Sequence, residues 1–428
     1  MNKLYNITAG LDIGNGYVKA LMDVNKNAPE GVDFLSGVAY QTASHDILIP
    51  ESEAGSIIED IFNEMEVSFD SKMIENQTRR LFGLRAISSG KSMDEFDVST
   101  TLSKACQDLS GILVLGTLAG KALQAYWREN KKLPDDIIKV TARIAVALPI
   151  TEYKQYRKVY AAKFKDTNHM VSIYNFEKPV RIEITIEDVQ VLAEGASAQY
   201  AINYNENPEL FMQAMLDDLK RHGVEFPGVT AKDILSAKNT VGIDIGEGTA
   251  NFPVFQDGRF NPDASMTFGK GYGTILEQAR ERLVAMNMAF NSRKSLSEFI
   301  STKPSVLKQA MYNKVMGIVK EETAGYVTEL INEFRKVMSR AGAYIEVLYV
   351  YGGGASPIKD IFYNSLIDAV KSLGGEDVMF PVLYLDSKYS RFLNRHGLYI
   401  IARKMADQAQ MQSAQQAQPK SAASTKTK

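Results

Sequence analysis

The chain has 428 residues, 45 % hydrophobic and 23 % charged, with a formal net charge of −2. That supports one large or two ordinary domains with a substantial core, and it excludes an overall basic field that would draw the protein to nucleic acid or anionic lipid. A lone cysteine, Cys106, excludes a disulfide framework within the chain; in its apolar-periodic stretch it reads as a small core residue, and a cytoplasmic setting fits. His45, His169, His222 and His396 are scattered without metal-ligand spacing.

In chain order, Met1–Asn6 is short and polar, with no apolar stretch of a signal peptide. Ile7–Ile13 is an apolar run interrupted by Asp12, which predicts a buried strand. Asn15-Gly16 then gives a hairpin turn into the alternating residues Tyr17, Val18, Ala20 and Leu21. Strands follow near Val38–Tyr40, Thr141–Ala147 and Val180–Ile186, with helical periodicity over Leu102–Tyr126 and Glu152–Lys165. Within the first of these helices, Ile112–Gly120 is the most apolar stretch, too short to span a bilayer, and reads as buried. Asn203–Asn239, charged and holding Pro208 and Pro227, reads as a connector with a helix inside it. A second apolar run with one acid, Val241–Ile245, leads through glycines to Phe252, Val254 and Phe255. Helical periodicity returns over Thr274–Met286, Val306–Ala341 and Ile358–Leu373. Asp407–Lys428 is Gln, Ala, Ser, Thr and Lys with no aromatic residue, which predicts a flexible tail. Strands alternating with helices in both halves make an α/β protein with mixed sheets.

An internal echo organises the chain. Gly10–Lys19 reads GLDIGNGYVK and Gly242–Asn251 reads GIDIGEGTAN; aligned without gaps, the leading Gly, the Asp, the Ile and both later Gly coincide. A glycine-lined hairpin lets backbone N–H groups approach phosphate oxygens unobstructed, which marks Gly14, Asn15, Gly16 and Tyr17, and Gly246, Glu247, Gly248 and Thr249. Asp12 and Asp244 cannot hold an anion directly, so they read as Mg2+ site residues acting through coordinated water. Lys19 has the reach of a point-charge phosphate binder, whereas the second copy carries Asn251 at that position. Either motif alone also fits an ordinary hairpin; the pair is the signal. A third element, YVYGGGASP over Tyr349–Pro357, lets a flat ligand or ribose phosphate lie against the backbone of Gly352, Gly353, Gly354 and Ala355, with a helix following. Gly90-Lys91-Ser92 is not a P-loop, because Arg85 stands where that motif needs glycine.

The order of these motifs resembles the actin, sugar kinase and heat-shock ATPase superfamily over Gly10 to about Met405. DIGNGYVK and the A-E-G around Glu194 look most like the bacterial plasmid-segregation actins of the ParM/StbA type, although Ala193 replaces their usual proline. The resemblance implies an actin-like fold of two homologous ribonuclease-H-like domains with mixed sheets flanking a nucleotide cleft. Residues 1–200 with 387–406 would form one, residues 201–386 the other, and 407–428 a disordered tail. It implies Mg-ATP in the cleft, with Glu194, on a connecting helix beginning near Val191, orienting or deprotonating the attacking water. Adenosine would contact Gly352–Ala355, and the helix after Gly271-Tyr272-Gly273 would supply the opposite wall through Glu277, Arg280 or Glu281. The last helix, Asn394–Met405, would cross the connector closely at Gly397. The implied function is an ATPase forming dynamic filaments that move plasmid DNA through a DNA-binding adaptor at the plasmid centromere, without direct contact to nucleic acid or membrane. A small-molecule kinase on the same fold is the alternative. It needs a catalytic Asp near the second hairpin, where only Asp257 and Asp263 stand, in the turn sequence DGRFNPD.

Overall fold

The computed structural model describes residues 3–42, 49–96, 103–165, 168–202, 207–342, 344–374, 380–385 and 387–417. Two mixed sheets dominate it. In the first, Leu4–Ile13 pairs antiparallel with Tyr17–Val24 on one side and parallel with Ile138–Leu148 on the other. Val180–Ala193 continues the parallel run and Asn168–Ile173 closes onto it antiparallel. In the second, Thr240–Ile245 pairs antiparallel with Ala250–Phe252 and Val254–Gln256, and parallel with Val347–Tyr351. Each half therefore centres on the acid-bearing strand, with its own hairpin partner on one flank and a parallel strand on the other. These strands are buried along most of their length, which explains their near-continuous apolar sequence.

The register preserves the sequence echo. Asp12 faces Lys19 across the first hairpin and Asp244 faces Asn251 across the second. Directly opposed residues of an antiparallel pair share a face, so each acid shares its face with its partner. The second hairpin differs in its outgoing strand, which is interrupted at Pro253; that carbonyl accepts from the Gly242 N–H.

Helices cover both sheets. The apolar stretch Ile112–Gly120 is the middle of a helix spanning Asp108–Asn130, long and apolar enough to cross a membrane by length and composition, but enclosed by protein. Its Ile112, Leu113, Leu115 and Leu118 form the first core with Ile7, Leu11, Val140 and Ile184. Full burial explains why it is apolar on all sides. The second core gathers Val241, Ile243, Val350 and Phe362 with Leu330 and Phe334 of the long helix Gln309–Ala341.

Several expectations are corrected. Cys106 is exposed, because a short 3-10 turn, Lys104–Cys106, precedes the helix and breaks its periodicity; Lys104 and Ala105 are the residues buried there. Val191–Ala193 is strand rather than helix, held by residue-by-residue pairing that ends at Ala193 opposite Leu148. The chain then turns at Gly195, whose φ of +78° favours glycine, into the helix Ala196–Ile202. The final helix runs Leu393–Ala417, so residues 407–417 are helical instead of disordered: Ala, Gln and Met are good helix formers and extend a helix already docked at Leu398 and Ala402. Residues 418–428, Leu102 and 203–206 lie outside the described residues. The close crossing at Gly397 is present, where an added Cβ would lie 1.7 Å from the Ser197 carbonyl oxygen.

Candidate functional site

The two hairpin turns are built alike. Gly14 donates its N–H to the Tyr17 carbonyl at 3.0 Å, and Gly246 donates to Thr249 at 2.9 Å. Those two amides, expected to hold phosphate, are thus spent on closing the turns. The N–H groups of Asn15 and Gly16, and of Glu247 and Gly248, donate no hydrogen bond among the described residues. The turns also interlock: a Cβ at Gly16 would meet the Glu247 carboxylate at 1.8 Å, and one at Gly248 would meet the Asn15 amide at 2.2 Å. Each turn thus places its middle side chain against the other's glycine.

Around them lies a cleft lined by both turns together with Asp12, Lys19, Glu194 and Asp244, and by Gly352 and Gly353. Both aspartates are buried. Burial pushes the Asp12 carboxyl above its usual range, while the Lys19 charge beside it pulls the other way. Burial likewise pushes Asp244 up from 3.8 to about 7, opposed by the hydrogen bond from Asn394. Two buried carboxylates beside unspent amide donors suit a hard cation that keeps most of its water and bridges to phosphate. Among the described residues there is no cluster of three or more ligating side chains that would enclose a metal by itself.

The triple glycine stands where expected. Gly352 has φ +95°, and a Cβ there would fall 2.4 Å from Asp244 Oδ1, so both conformation and space demand glycine. Gly354 and Ala355 stand just behind the cleft; Gly354 donates to the Ile245 carbonyl at 2.8 Å. The first amides of the helix Tyr272–Ala285 are occupied by the second turn, Tyr272 donating to Gly246 and Gly273 to Glu247. Glu277 and Arg280 pair with each other, and the cleft lining stops short of them. Their link to the site runs through Arg293, 3.8 Å from Glu277 and 4.0 Å from Glu247.

Glu194 immediately follows the strand Val180–Ala193, its backbone N–H donating to the Leu148 carbonyl. Its carboxylate bridges the halves: Lys104 Nζ donates to Oε1 at 2.9 Å and Asn251 Nδ2 to Oε2 at 3.2 Å. Neither partner was identified from sequence, although Asn251 stood in plain view as the deviant position of the echo. Asn394 was also missed as a site residue. Its Nδ2 donates to Asp244 at 2.7 Å, while its Oδ1 accepts from the Gly195 N–H and the Ser197 hydroxyl. Ser390 and Arg391 complete the lining, Arg391 pairing with Asp33 at 2.6 Å.

Residues 10–196 match the family model described as actin-like proteins, N-terminal domain. No curated protein sequence matches the chain significantly. Among solved structures, the actin-like protein Alp7A superposes with a TM-score of 0.63 at 16 % identity, covering 97 % of this chain and 99 % of its own. The archaeal actin homolog Ta0583 gives 0.58 at 13 %, covering 93 % and 99 %. Bacillus thuringiensis ParM with ATP gives 0.54 at 15 %, covering 96 % and 100 %. Residues 10–196 carry the sequence match to actin-like proteins, and over nearly its whole length the chain has the actin-like fold.

Proposed function

We propose that this protein binds Mg-ATP between its two hairpins, hydrolyses it, and uses the cycle to build and dismantle cytoplasmic filaments of its own copies. The carrying observation is the matched set of unspent amides, Asn15 and Gly16 facing Glu247 and Gly248, beside two buried aspartates. Such donors suit the β- and γ-phosphates of a nucleotide. The structural relatives include Bacillus thuringiensis ParM with ATP and with ADP, and a pCBH ParM described as a non-polymerisable mutant. By analogy with the plasmid-segregation actins, the filament would move plasmid DNA through a DNA-binding adaptor protein.

In this reading Asp12 and Asp244 would hold the hydrated Mg2+, which would supply positive charge to the phosphate oxygens. Lys19 adds a point charge from the first hairpin. Glu194 accepts a proton from the water that attacks the γ-phosphorus. The bond to the β–γ bridging oxygen breaks, its electron pair leaves with ADP, and inorganic phosphate is the second product. Adenosine lies against Gly352–Ala355, with the helix carrying Glu277 and Arg280 as the opposite wall.

Right-angle light scattering on adding Mg-ATP, with Mg-ADP as control, tests the assembly. A rise above a critical concentration that decays as phosphate is released is the expected result; a flat trace during hydrolysis would move the reading to a monomeric phosphotransferase. Glu194→Gln should keep nucleotide binding while slowing hydrolysis by about 10²-fold or more.

A further inference from the structure

Lys104 is an unusual residue to find at the floor of this cleft. Its side chain is 5 % exposed and it lines the cleft. A lysine is rarely buried to this degree unless it is paired, and here two acceptors face it. Nζ donates to Glu194 Oε1 at 2.9 Å and to the carbonyl of Ile13 at 2.6 Å. Ile13 immediately precedes the first phosphate turn, so the ammonium sits at the edge of that turn.

The short turn that carries Lys104 is fastened on both sides. The Ser103 hydroxyl donates to Glu152 at 2.5 Å and accepts from the Ala105 N–H at 3.1 Å. Lys163 Nζ donates to the Ala105 carbonyl at 2.8 Å. Glu152 and Lys163 lie on one helix, Ile150–Lys165, so the backbone beneath Lys104 is clamped while its long side chain keeps its rotatable bonds. A clamped base with a flexible arm suits a group that exchanges partners at a fixed point.

Glu194 cannot serve as an unhindered proton acceptor while one oxygen is held by an ammonium and the other by Asn251. We propose that Lys104 senses the γ-phosphate: it holds Glu194 when that phosphate is absent and transfers to a γ-phosphate oxygen when ATP fills the cleft, pivoting on the Ile13 carbonyl. The transfer leaves Glu194 oriented by Asn251 alone, with Oε1 free to take the proton of the attacking water. Hydrolysis takes the same course as before, and only the partner of the ammonium changes. ADP, lacking the third phosphate, leaves the Lys104–Glu194 pair intact. This inference rests on the nucleotide-hydrolysis reading of the same cleft.

The experiment compares wild type, Lys104→Gln and Lys104→Arg for binding of Mg-ADP and of a non-hydrolysable ATP analogue by calorimetry, and for phosphate formation in a single turnover of Mg-ATP. Lys104→Gln should weaken the ATP analogue by about tenfold or more, the worth of a charge-assisted hydrogen bond, and leave ADP within about twofold. Single-turnover phosphate formation should fall by about 10²-fold, with partial recovery in Lys104→Arg. Because a lone glutamate left buried can unfold the protein, the double variant Lys104→Met, Glu194→Leu gives a second reading. In it, too, the preference for the ATP analogue over ADP should collapse. Equal losses for both nucleotides, or an unchanged preference, would show a purely structural ion pair and overturn the proposal. Failure of wild type to bind either nucleotide would instead overturn the hydrolysis reading itself.

Discussion

The two hairpins share a strand register, a closing hydrogen bond and a glycine pair, yet they use the residue facing their aspartate for different work. Lys19 places a positive charge beside Asp12; Asn251 turns away from phosphate chemistry and holds Glu194 from the second half. Thr267 in turn donates to Asn251 Oδ1 at 2.7 Å, which fixes the amide so that its NH2 faces the carboxylate. On the proposed function the duplicated motif is divided between binding and positioning. The symmetric parts are backbone, and the asymmetric side chains differ in charge and in partner.

The largest expected effect breaks the symmetry of the leading glycines. A Cβ at Gly10 would meet backbone atoms of Tyr399 at 2.1 and 2.6 Å, whereas at Gly242 the nearest atom is the Tyr351 hydroxyl. Gly10→Ala should cost about 3 kcal/mol in urea unfolding and Gly242→Ala about half that, since only a side chain must yield. Equal costs would show that the closing helix is free to shift.

Next in size, Lys19→Ala should weaken Mg-ATP binding by about 10²-fold, as loss of a charged contact to phosphate requires. Asn251→Ala should leave affinity nearly unchanged and slow hydrolysis by about tenfold, the worth of one orienting hydrogen bond. Calorimetry and phosphate release separate the two; an affinity loss in Asn251→Ala would collapse the division of labour. A pH slope bears on the second aspartate alone. Burial raises the Asp244 carboxyl from 3.8 to about 7, so the folded protein holds a proton that the unfolded chain has released. Stability of the nucleotide-free protein should therefore fall as pH rises from about 4 to 7 and level off above it. Asp244→Asn should flatten that slope and raise the melting temperature at pH 8 while losing Mg-dependent binding.

The sequence made the backbone parts of this site readable, because glycine spacing and strand alternation are local constraints. Gly14, Gly16, Gly246, Gly248 and Gly352 stand in the cleft for that reason. What stayed hidden was set by packing between distant segments. Lys104 looked like one residue of an apolar-periodic helix, and nothing local separates a buried lysine from a surface one. Asn394 marked a helix start, and its bonds to Asp244 and Gly195 exist only once the halves meet. Glu194 comes from the resemblance, which puts it on a helix; it follows a strand instead, because the long ladder with Ile138–Leu148 overrides local helical preference. Glu277 and Arg280 rest on their place on a helix near the site alone: they pair with each other and stand outside the cleft lining.

The closing helix has a consequence for how the protein comes into being. Gly10 packs beneath Tyr399, and Asp244 waits for Asn394, so the first strand and the second acid both remain unfinished until the segment after Leu393 has been synthesised. A chain emerging from the ribosome carries both glycine turns long before it carries the part that locks them in register. On the proposed function, a nascent chain would gain a finished nucleotide site only once the segment after Leu393 has emerged and docked.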